Sequence, residues 1–187
     1  MRHLTSSDLW PLPVYEGVRD QFRREVIAAK QHRRVAVGPF MTFVFENRLT
    51  VKFQVQEILR VERIASPEGV REELDGFNEM LPGPGELSAT LLIELTGAEP
   101  EVAAQLQRLC GLSEHVWMEL DGARVQGRFE GGRDDGRRVS AVQYVRFPVG
   151  ARKFERAAVV IDHPSYGHRA ELPAEALRSL SRDLEDA

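Results

Sequence analysis

The stretch that decides the fold class is Val116-Trp-Met-Glu-Leu-Asp-Gly-Ala-Arg-Val-Gln-Gly-Arg-Phe129. Two strand-like runs, Val116 to Leu120 and Ala123 to Phe129, flank Asp121-Gly122. An Asp-Gly pair readily adopts the backbone angles of a tight hairpin turn, and this pair is the best short hairpin signal in the chain. The stretch therefore predicts two neighbouring antiparallel strands.

The chain after this hairpin continues as a β-meander. The polar segment Gly131 to Arg138 predicts a solvated loop. Val139 to Val149 predicts a long strand inside the sheet, because its centre is apolar on both sides. Arg156 to Asp162 and His168 to Leu172 predict another hairpin around the turn residues Pro164 to Gly167.

The chain before the hairpin mixes helices with strands. Apolar residues at helical spacing predict a helix, and an apolar run between turn residues predicts a buried strand. On these grounds the predicted helices are 14–31, 67–81 with Ser66 as N-cap, 99–110 and a last one from Pro173, and the predicted strands are 35–37, 40–46 and 87–95.

One segment, residues 49–64, fits two structures. Alternation of apolar and polar residues from Leu49 to Gln56 is strand-like and would give a hairpin turning at Asn47-Arg48. The apolar residues also keep a helical period over a longer range, with Thr50 as a competent N-cap. We favour a helix over 51–64 because that pattern covers more residues.

The order of elements predicts an α+β fold. Strands and helices do not alternate in the way that a parallel sheet requires, so we expect a mostly antiparallel sheet with helices packed on one face. The length of 187 residues and the lack of a long linker predict a single globular domain over residues 1–187.

Composition makes several classes of protein poor candidates. A net charge of -4 and no basic cluster argue against nucleic acid as a partner. Apolar runs such as Ala89 to Leu95 are far shorter than the roughly 20 residues of a membrane span, and the N-terminus has no signal-peptide pattern. The lone Cys110 forms no internal disulfide and no Cys-rich zinc site. We therefore expect a cytoplasmic protein that binds no membrane.

Motifs of known chemistry are missing from the sequence. It has no phosphate-binding loop, dinucleotide fingerprint, serine nucleophile elbow or zinc-protease helix, so the catalytic residues and any cofactor stay unknown. Cys110 at a helix end is predicted to be an unreactive, buried packing residue. A metal set of Asp162, His163 and His168 is conceivable, but ordinary loop histidines are favoured and no metal site is predicted.

A set of charged and amide side chains within apolar segments forms the candidate site. Buried groups of this kind need partners, and either a structural ion-pair network or a ligand pocket supplies them. The candidate ligand-binding residues are Glu46, Arg48, Gln54, Gln56, Glu57, Arg60, Glu86, Gln143 and Arg146. The carboxylates lack the Glu-x-x-His pairs typical of di-iron proteins.

The same segments carry a resemblance to a known family. The chain is similar to the bacterial family catalogued as domain of unknown function 3501 at residues 45–48, 54–57, 60, 62–64, 82–90 and 140–148, and also at Leu12 to Glu16 and 160–164. The family is uncharacterised. The resemblance implies association with rubrerythrin-like and iron–sulfur oxidoreductase proteins, and hence an accessory role near iron or peroxide chemistry.

Two functional hypotheses follow. The first is a non-catalytic binding or accessory protein that presents a polar pocket built from residues 46–63, Glu86 and 140–146. The alternative is a small-molecule enzyme in which Glu46, Glu57 or Glu86 is the general base and Arg48 or Arg60 holds an anionic substrate. An exposed edge of the meander would also allow a homodimer.

Overall fold

The structure is a computed structural model, and it describes residues 1–150 and 153–186. The helices in this part of the chain are α1 (Leu12–Gln31), α2 (Arg48–Val61), α3 (Pro67–Asn78), α4 (Glu99–Arg108) and α5 (Ala174–Glu185). The strands are β1 (Arg34–Val37), β2 (Met41–Phe45), β3 (Glu86–Ile93), β4 (Val116–Leu120), β5 (Ala123–Gln126), β6 (Arg128–Phe129), β7 (Val142–Pro148), β8 (Ala157–His163) and β9 (Tyr166–Glu171).

The strands form two antiparallel sheets. The first has the order β1-β2-β3-β7-β6 and the second the order β5-β4-β8-β9. The predicted α+β class with antiparallel strands is therefore confirmed, although the strands divide between two sheets where the sequence suggested one. Both predicted hairpins are present, since β4 pairs with β5 and β8 pairs with β9.

The division occurs at Gly127, in the middle of the predicted strand 123–129. β5 before it pairs with β4 in the second sheet, and β6 after it pairs with β7 in the first. A β carbon at Gly127 would lie 2.7 Å from Cγ2 of Val145 and 3.1 Å from Cε1 of Phe147. Only glycine lets the chain pass this close to β7 as it crosses between the sheets.

The main core lies between the two sheets. Every second residue of β2 and β3, such as Phe43 and Leu91, joins Met118 and Ile161 of the second sheet in one buried cluster. Helices α4 and α5 add apolar residues, including Leu180, to the same cluster. The alternate residues of β2, β3 and β7 consequently lie on the opposite, outer face of the first sheet.

Helices α2 and α3 pack together beside that outer face. Their buried residues Val51, Val55 and Leu74 form a second apolar cluster, which Tyr144 of β7 contacts. The favoured helix in the ambiguous segment is confirmed as α2. Its N-cap is Asn47 where we expected Thr50: the Asn47 side chain accepts from the Thr50 amide at 3.1 Å, and Thr50 Oγ1 accepts from the Asn47 amide at 2.9 Å.

The first eleven residues, here called the N-terminal strap, cross helices α2 and α3. Two buried side-chain amides hold it. Asn78 accepts from the Leu4 amide at 2.8 Å and donates to the Leu4 carbonyl at 2.9 Å, and Gln56 does the same for Trp10 at 2.6 and 3.3 Å.

Across residues 1–150 and 153–186, no helix is both long and apolar enough to cross a membrane.

Candidate functional site

The predicted polar residues lie in separate places and do not converge on one pocket. Glu46 and Gln54 form one cluster, Glu57 and Arg60 a second, and Glu86 and Arg146 a third. Gln56 holds the N-terminal strap, as described above. Arg48 also contacts the strap, since its guanidinium lies 3.0 Å from Asp8 and donates to the Arg2 carbonyl at 2.9 Å.

Glu46 is a buried carboxylate surrounded by neutral donors. Its side chain accepts from Thr50 Oγ1 at 2.5 Å, Thr90 Oγ1 at 2.7 Å and Gln54 Nε2 at 3.2 Å. The residue is only 3% exposed, and within the described residues no lysine or arginine pairs with it. This arrangement satisfies the hydrogen-bonding capacity of the carboxylate internally and leaves it almost no contact with solvent.

Glu57 is the acceptor at the centre of an ion-pair cluster. Arg19 donates two hydrogen bonds of 2.8 Å to its carboxylate, Tyr15 Oη donates at 2.8 Å, and Arg60 donates at 3.3 Å. The hydrogen bonds from Arg19, against the opposing effect of burial, lower the pKa of Glu57 to about 2. Burial and the bond to Glu57 raise the pKa of Tyr15. The cluster joins α1 to α2.

The residues suggested for a metal point in different directions. Asp162 contacts His115 and Trp117 at 3.2 and 3.1 Å. The two ring nitrogens of His163 are used by the Cys110 carbonyl and the Ser165 amide, both at 3.1 Å. His168 packs against the ring of Tyr166. Within the described residues, no group of three such side chains has the geometry of a metal site.

Cys110 differs from its prediction in one respect. The thiol is partly exposed where we expected it to be buried. Desolvation and the neighbouring carboxylate of Asp134 raise its pKa, which disfavours the reactive thiolate.

A cavity of about 560 Å³ lies between α3 and the outer face of the first sheet. Three arginines from different elements line it, so it is called the arginine cavity below. The lining residues are Glu73, Gly76, Phe77, Glu79, Met80, Ser88, Arg128, Phe129, Glu130, Arg133, Tyr144 and Arg146. Of the nine predicted site residues, Arg146 is the one that lines it.

Two of these arginines face each other across neighbouring strands. Arg146 of β7 lies between two register partners. Arg128 of β6 is opposite it on one side, and Ser88 of β3 is opposite it on the other. Like charges directly opposite each other in a sheet are unfavourable. Arg146 donates to the Glu79 carbonyl and lies 3.8 Å from Glu86, whereas Arg128 makes no side-chain hydrogen bond or ion pair with any residue that the structure describes.

The third arginine is held over the wall of the cavity. The Arg133 guanidinium carbon lies 4.2 Å from the centroid of the Tyr144 ring, and its Nε donates to Glu130 at 2.7 Å. Gln143 fixes the backbone of this loop by donating to the carbonyls of Arg133 at 3.1 Å and Ser140 at 2.8 Å. Gln143 therefore influences the cavity through the position of Arg133.

Sequence reasoning missed Arg128 and Arg133. Arg128 belongs to a strand of two residues, and its meeting with Arg146 depends on the β6–β7 register. Arg133 lies in the segment that we expected to be a solvated loop. A pairing of β6 with β7, had it been recognised, would have placed two arginines opposite each other.

Comparisons with known proteins agree on the family. The family model described as "Protein of unknown function (DUF3501)" matches residues 3–184. The chain is also similar to the crystal structure of a novel protein of unknown function from Burkholderia pseudomallei K96243. That likeness has a TM-score of 0.90 and 31% identity and covers 98% of this chain and 100% of the other. No curated protein matches the chain.

Proposed function

The chain belongs to the DUF3501 family, whose function is unknown, and we propose that it is a non-catalytic binding protein for a small anionic molecule held in the arginine cavity. The observation that supports this most is the direct opposition of Arg128 and Arg146 at the cavity wall. An anion between two guanidinium groups would replace their repulsion with attraction.

The chemistry of arginine indicates which anion fits. A guanidinium group presents planar, paired N–H donors that match the two oxygens of a carboxylate or a phosphate. Arg128 is free to make such contacts in the described structure, whereas Arg146 donates one hydrogen bond to the Glu79 carbonyl and has a long contact with Glu86 at 3.8 Å. Arg133 would add a third cation at the opening.

The remaining walls limit the ligand further. Phe77, Met80 and Tyr144 supply apolar and aromatic surface, so the ligand should carry an apolar or planar part next to its anionic group. Glu73, Glu79 and Glu130 also line the cavity and would repel a molecule of high negative charge. A monoanion with an aromatic or short aliphatic body is the best fit.

Binding is favoured over catalysis because the three carboxylates considered as general bases are poorly suited to that role. Glu46 is sealed from solvent by its hydroxyl and amide donors. Glu57, with a pKa of about 2 and a bidentate arginine, has little tendency to accept a proton near neutral pH. Glu86 lies outside the arginine cavity, near the Gly83 amide at 3.3 Å.

Titration calorimetry with benzoate and with inorganic phosphate tests the proposal. The unaltered protein should bind at least one of them saturably, and Arg128→Gln and Arg146→Gln should each weaken that binding by about tenfold or more. Arg23→Gln is the matched control, because Arg23 is an exposed arginine of α1 that does not line the cavity, and its loss changes the net charge equally.

Two results would count against the proposal. One is an absence of saturable binding of both anions, and the other is an equal loss of affinity in the Arg23→Gln control. The second result would mean that the anion responds to overall charge and has no defined site.

The biological setting is a separate part of the proposal and depends on the family resemblance alone. We propose a cytoplasmic accessory protein that acts beside rubrerythrin-like or iron–sulfur oxidoreductase proteins, with a homodimer as one assembly state. Sedimentation velocity of the purified chain, alone and mixed with a rubrerythrin-like protein from the same cells, measures both associations. This setting would be contradicted if the chain sedimented as a monomer and did not associate with the added protein.

A further inference from the structure

A second cavity, of about 740 Å³, lies on the other side of α3 from the arginine cavity. The N-terminal strap forms one wall, and the end of α2 with the first turns of α3 forms the other. We call it the strap cavity. Its volume falls within the roughly 300–1,000 Å³ of small-molecule sites.

The walls of the strap cavity are chiefly aliphatic. Apolar side chains from the strap, from both helices and from the link between the helices line it, among them Leu4, Leu9, Leu59, Ile64, Val70 and Leu74. The strap is held in place at two points by the buried amides of Asn78 and Gln56, so the wall that it forms is fixed at both ends. Such a cavity favours an extended apolar group.

Two charged residues line the strap cavity, and the cation among them determines the charge that the occupant should carry. Arg71 of α3 lines the cavity and, in the part of the chain that the structure describes, makes no hydrogen bond or ion pair. Asp75, one turn further along α3, lines the end that adjoins a neighbouring cavity beside Met1 and His3. A negative group is therefore attracted to Arg71 and repelled by Asp75.

We propose that the strap cavity is a binding site for an amphipathic monocarboxylate, with its aliphatic tail between the strap and α2–α3 and its carboxylate on Arg71. This site is separate from the arginine cavity, because the two cavities have no lining residue in common. The failure of one proposal leaves the other standing.

Trp10 provides the readout, because it lines the strap cavity. The second tryptophan, Trp117, belongs to β4 in the other sheet, so Trp117→Phe leaves Trp10 as the single tryptophan reporter. Titration of this variant with dodecanoate, below the concentration at which it forms micelles, should give a saturable change in Trp10 emission. The uncharged dodecan-1-ol should bind about tenfold more weakly.

Two further substitutions in that background locate the site. Val70→Phe places a larger side chain in the cavity and should weaken dodecanoate binding by about tenfold, whereas Val61→Phe adds the same bulk at an exposed position of α2 and should leave it unchanged. Arg71→Gln should weaken the binding of dodecanoate by about tenfold and leave the binding of dodecan-1-ol unchanged. Because Arg71 is exposed, this variant tests the site even if Val70→Phe does not fold.

Three results would overturn the proposal. The first is a Trp10 emission that does not saturate with dodecanoate. The second is equal affinity in a folded Val70→Phe and in Val61→Phe. The third is an Arg71→Gln variant that binds dodecanoate as tightly as its parent.

Discussion

Two polar regions beside the outer face of the first sheet differ in how their charges are partnered. The buried carboxylate of Glu46 receives three hydrogen bonds, from Thr50, Thr90 and Gln54, and the residue is 3% exposed. Arg128 and Arg146 face each other over a cavity of about 560 Å³. In the first region the charged group is partnered within the fold, whereas in the second Arg128 has no side-chain partner among the described residues.

This difference is the reason that we place the proposed ligand site at the arginine cavity. A dense run of polar residues in an apolar segment, such as 46–63, is explained by internal partners: α1, the N-terminal strap and β3 satisfy them. The pairing of two arginines, Arg128 and Arg146, next to a cavity has no such internal explanation and therefore points more strongly to a ligand site. Two like charges opposite each other on neighbouring strands repel each other and destabilise the fold. A bound anion would offset that repulsion.

The largest effect is expected from removing the Glu46 carboxylate. Glu46→Ala leaves the Thr90 hydroxyl without its acceptor, leaves the Thr50 hydroxyl only the Asn47 carbonyl at 3.1 Å, and opens a small void. These losses should lower the free energy of unfolding by about 3 kcal/mol. Glu46→Gln keeps one acceptor oxygen and should cost less. Urea denaturation measures both variants. A loss of benzoate affinity in folded Glu46→Gln would contradict the separation between the two regions.

The ion-pair cluster of Glu57 should give a smaller effect that depends on pH. Because the folded-state pKa of about 2 lies below the ordinary 4.5, the stabilisation is complete above the pKa of the unfolded state and is lost as the pH falls from 4.5 towards 2. Allowing for its partial exposure, we expect about 1–2 kcal/mol.

Denaturation of the unaltered protein and of Glu57→Gln between pH 6 and pH 2 measures this contribution. The difference in stability between the two proteins should shrink as the pH falls through that window. A difference that stays constant across it would show that the carboxylate is not the titrating group.

Loosening the loop that carries Arg133 should have the smallest effect on stability and a visible effect on binding. Gln143→Ala removes the hydrogen bonds to the carbonyls of Arg133 and Ser140 and should cost about 1 kcal/mol. Anion affinity should fall by about threefold to fivefold, because Arg133 is no longer held over Tyr144. Unchanged affinity would remove Gln143 and Arg133 from the site.

Local sequence chemistry accounts for what could be predicted. The turn at Asp121-Gly122 and the capping of α3 by Ser66 each depend on a few neighbouring residues, and both are where we expected them. The separation into two sheets depends on the contact of Gly127 with Val145 and Phe147. Contacts between distant segments leave no local pattern in the chain.

The candidate site could be predicted only in part, for the same reason. Arg146 was identified because an arginine within an apolar strand needs a partner or a ligand. Gln54 and Gln56 look equivalent in the sequence, but Gln56 is fully buried and bound to the Trp10 backbone, whereas Gln54 donates to Glu46. Arg128 could not be predicted from its local sequence, because the residue opposite it, Arg146, lies 18 positions away in the chain and is brought there by the pairing of β6 with β7.

A thermal shift measurement on Arg128→Gln tests the central claim most directly. Without ligand, removing one of two opposed arginines should leave the melting temperature unchanged or slightly raised at low salt, with the difference vanishing at high salt. Saturating benzoate should raise the melting temperature of the unaltered protein and leave that of the variant nearly unmoved. A ligand-free variant that melts clearly earlier, or equal gains with benzoate in both proteins, would show that Arg128 supports the fold and does not bind the anion.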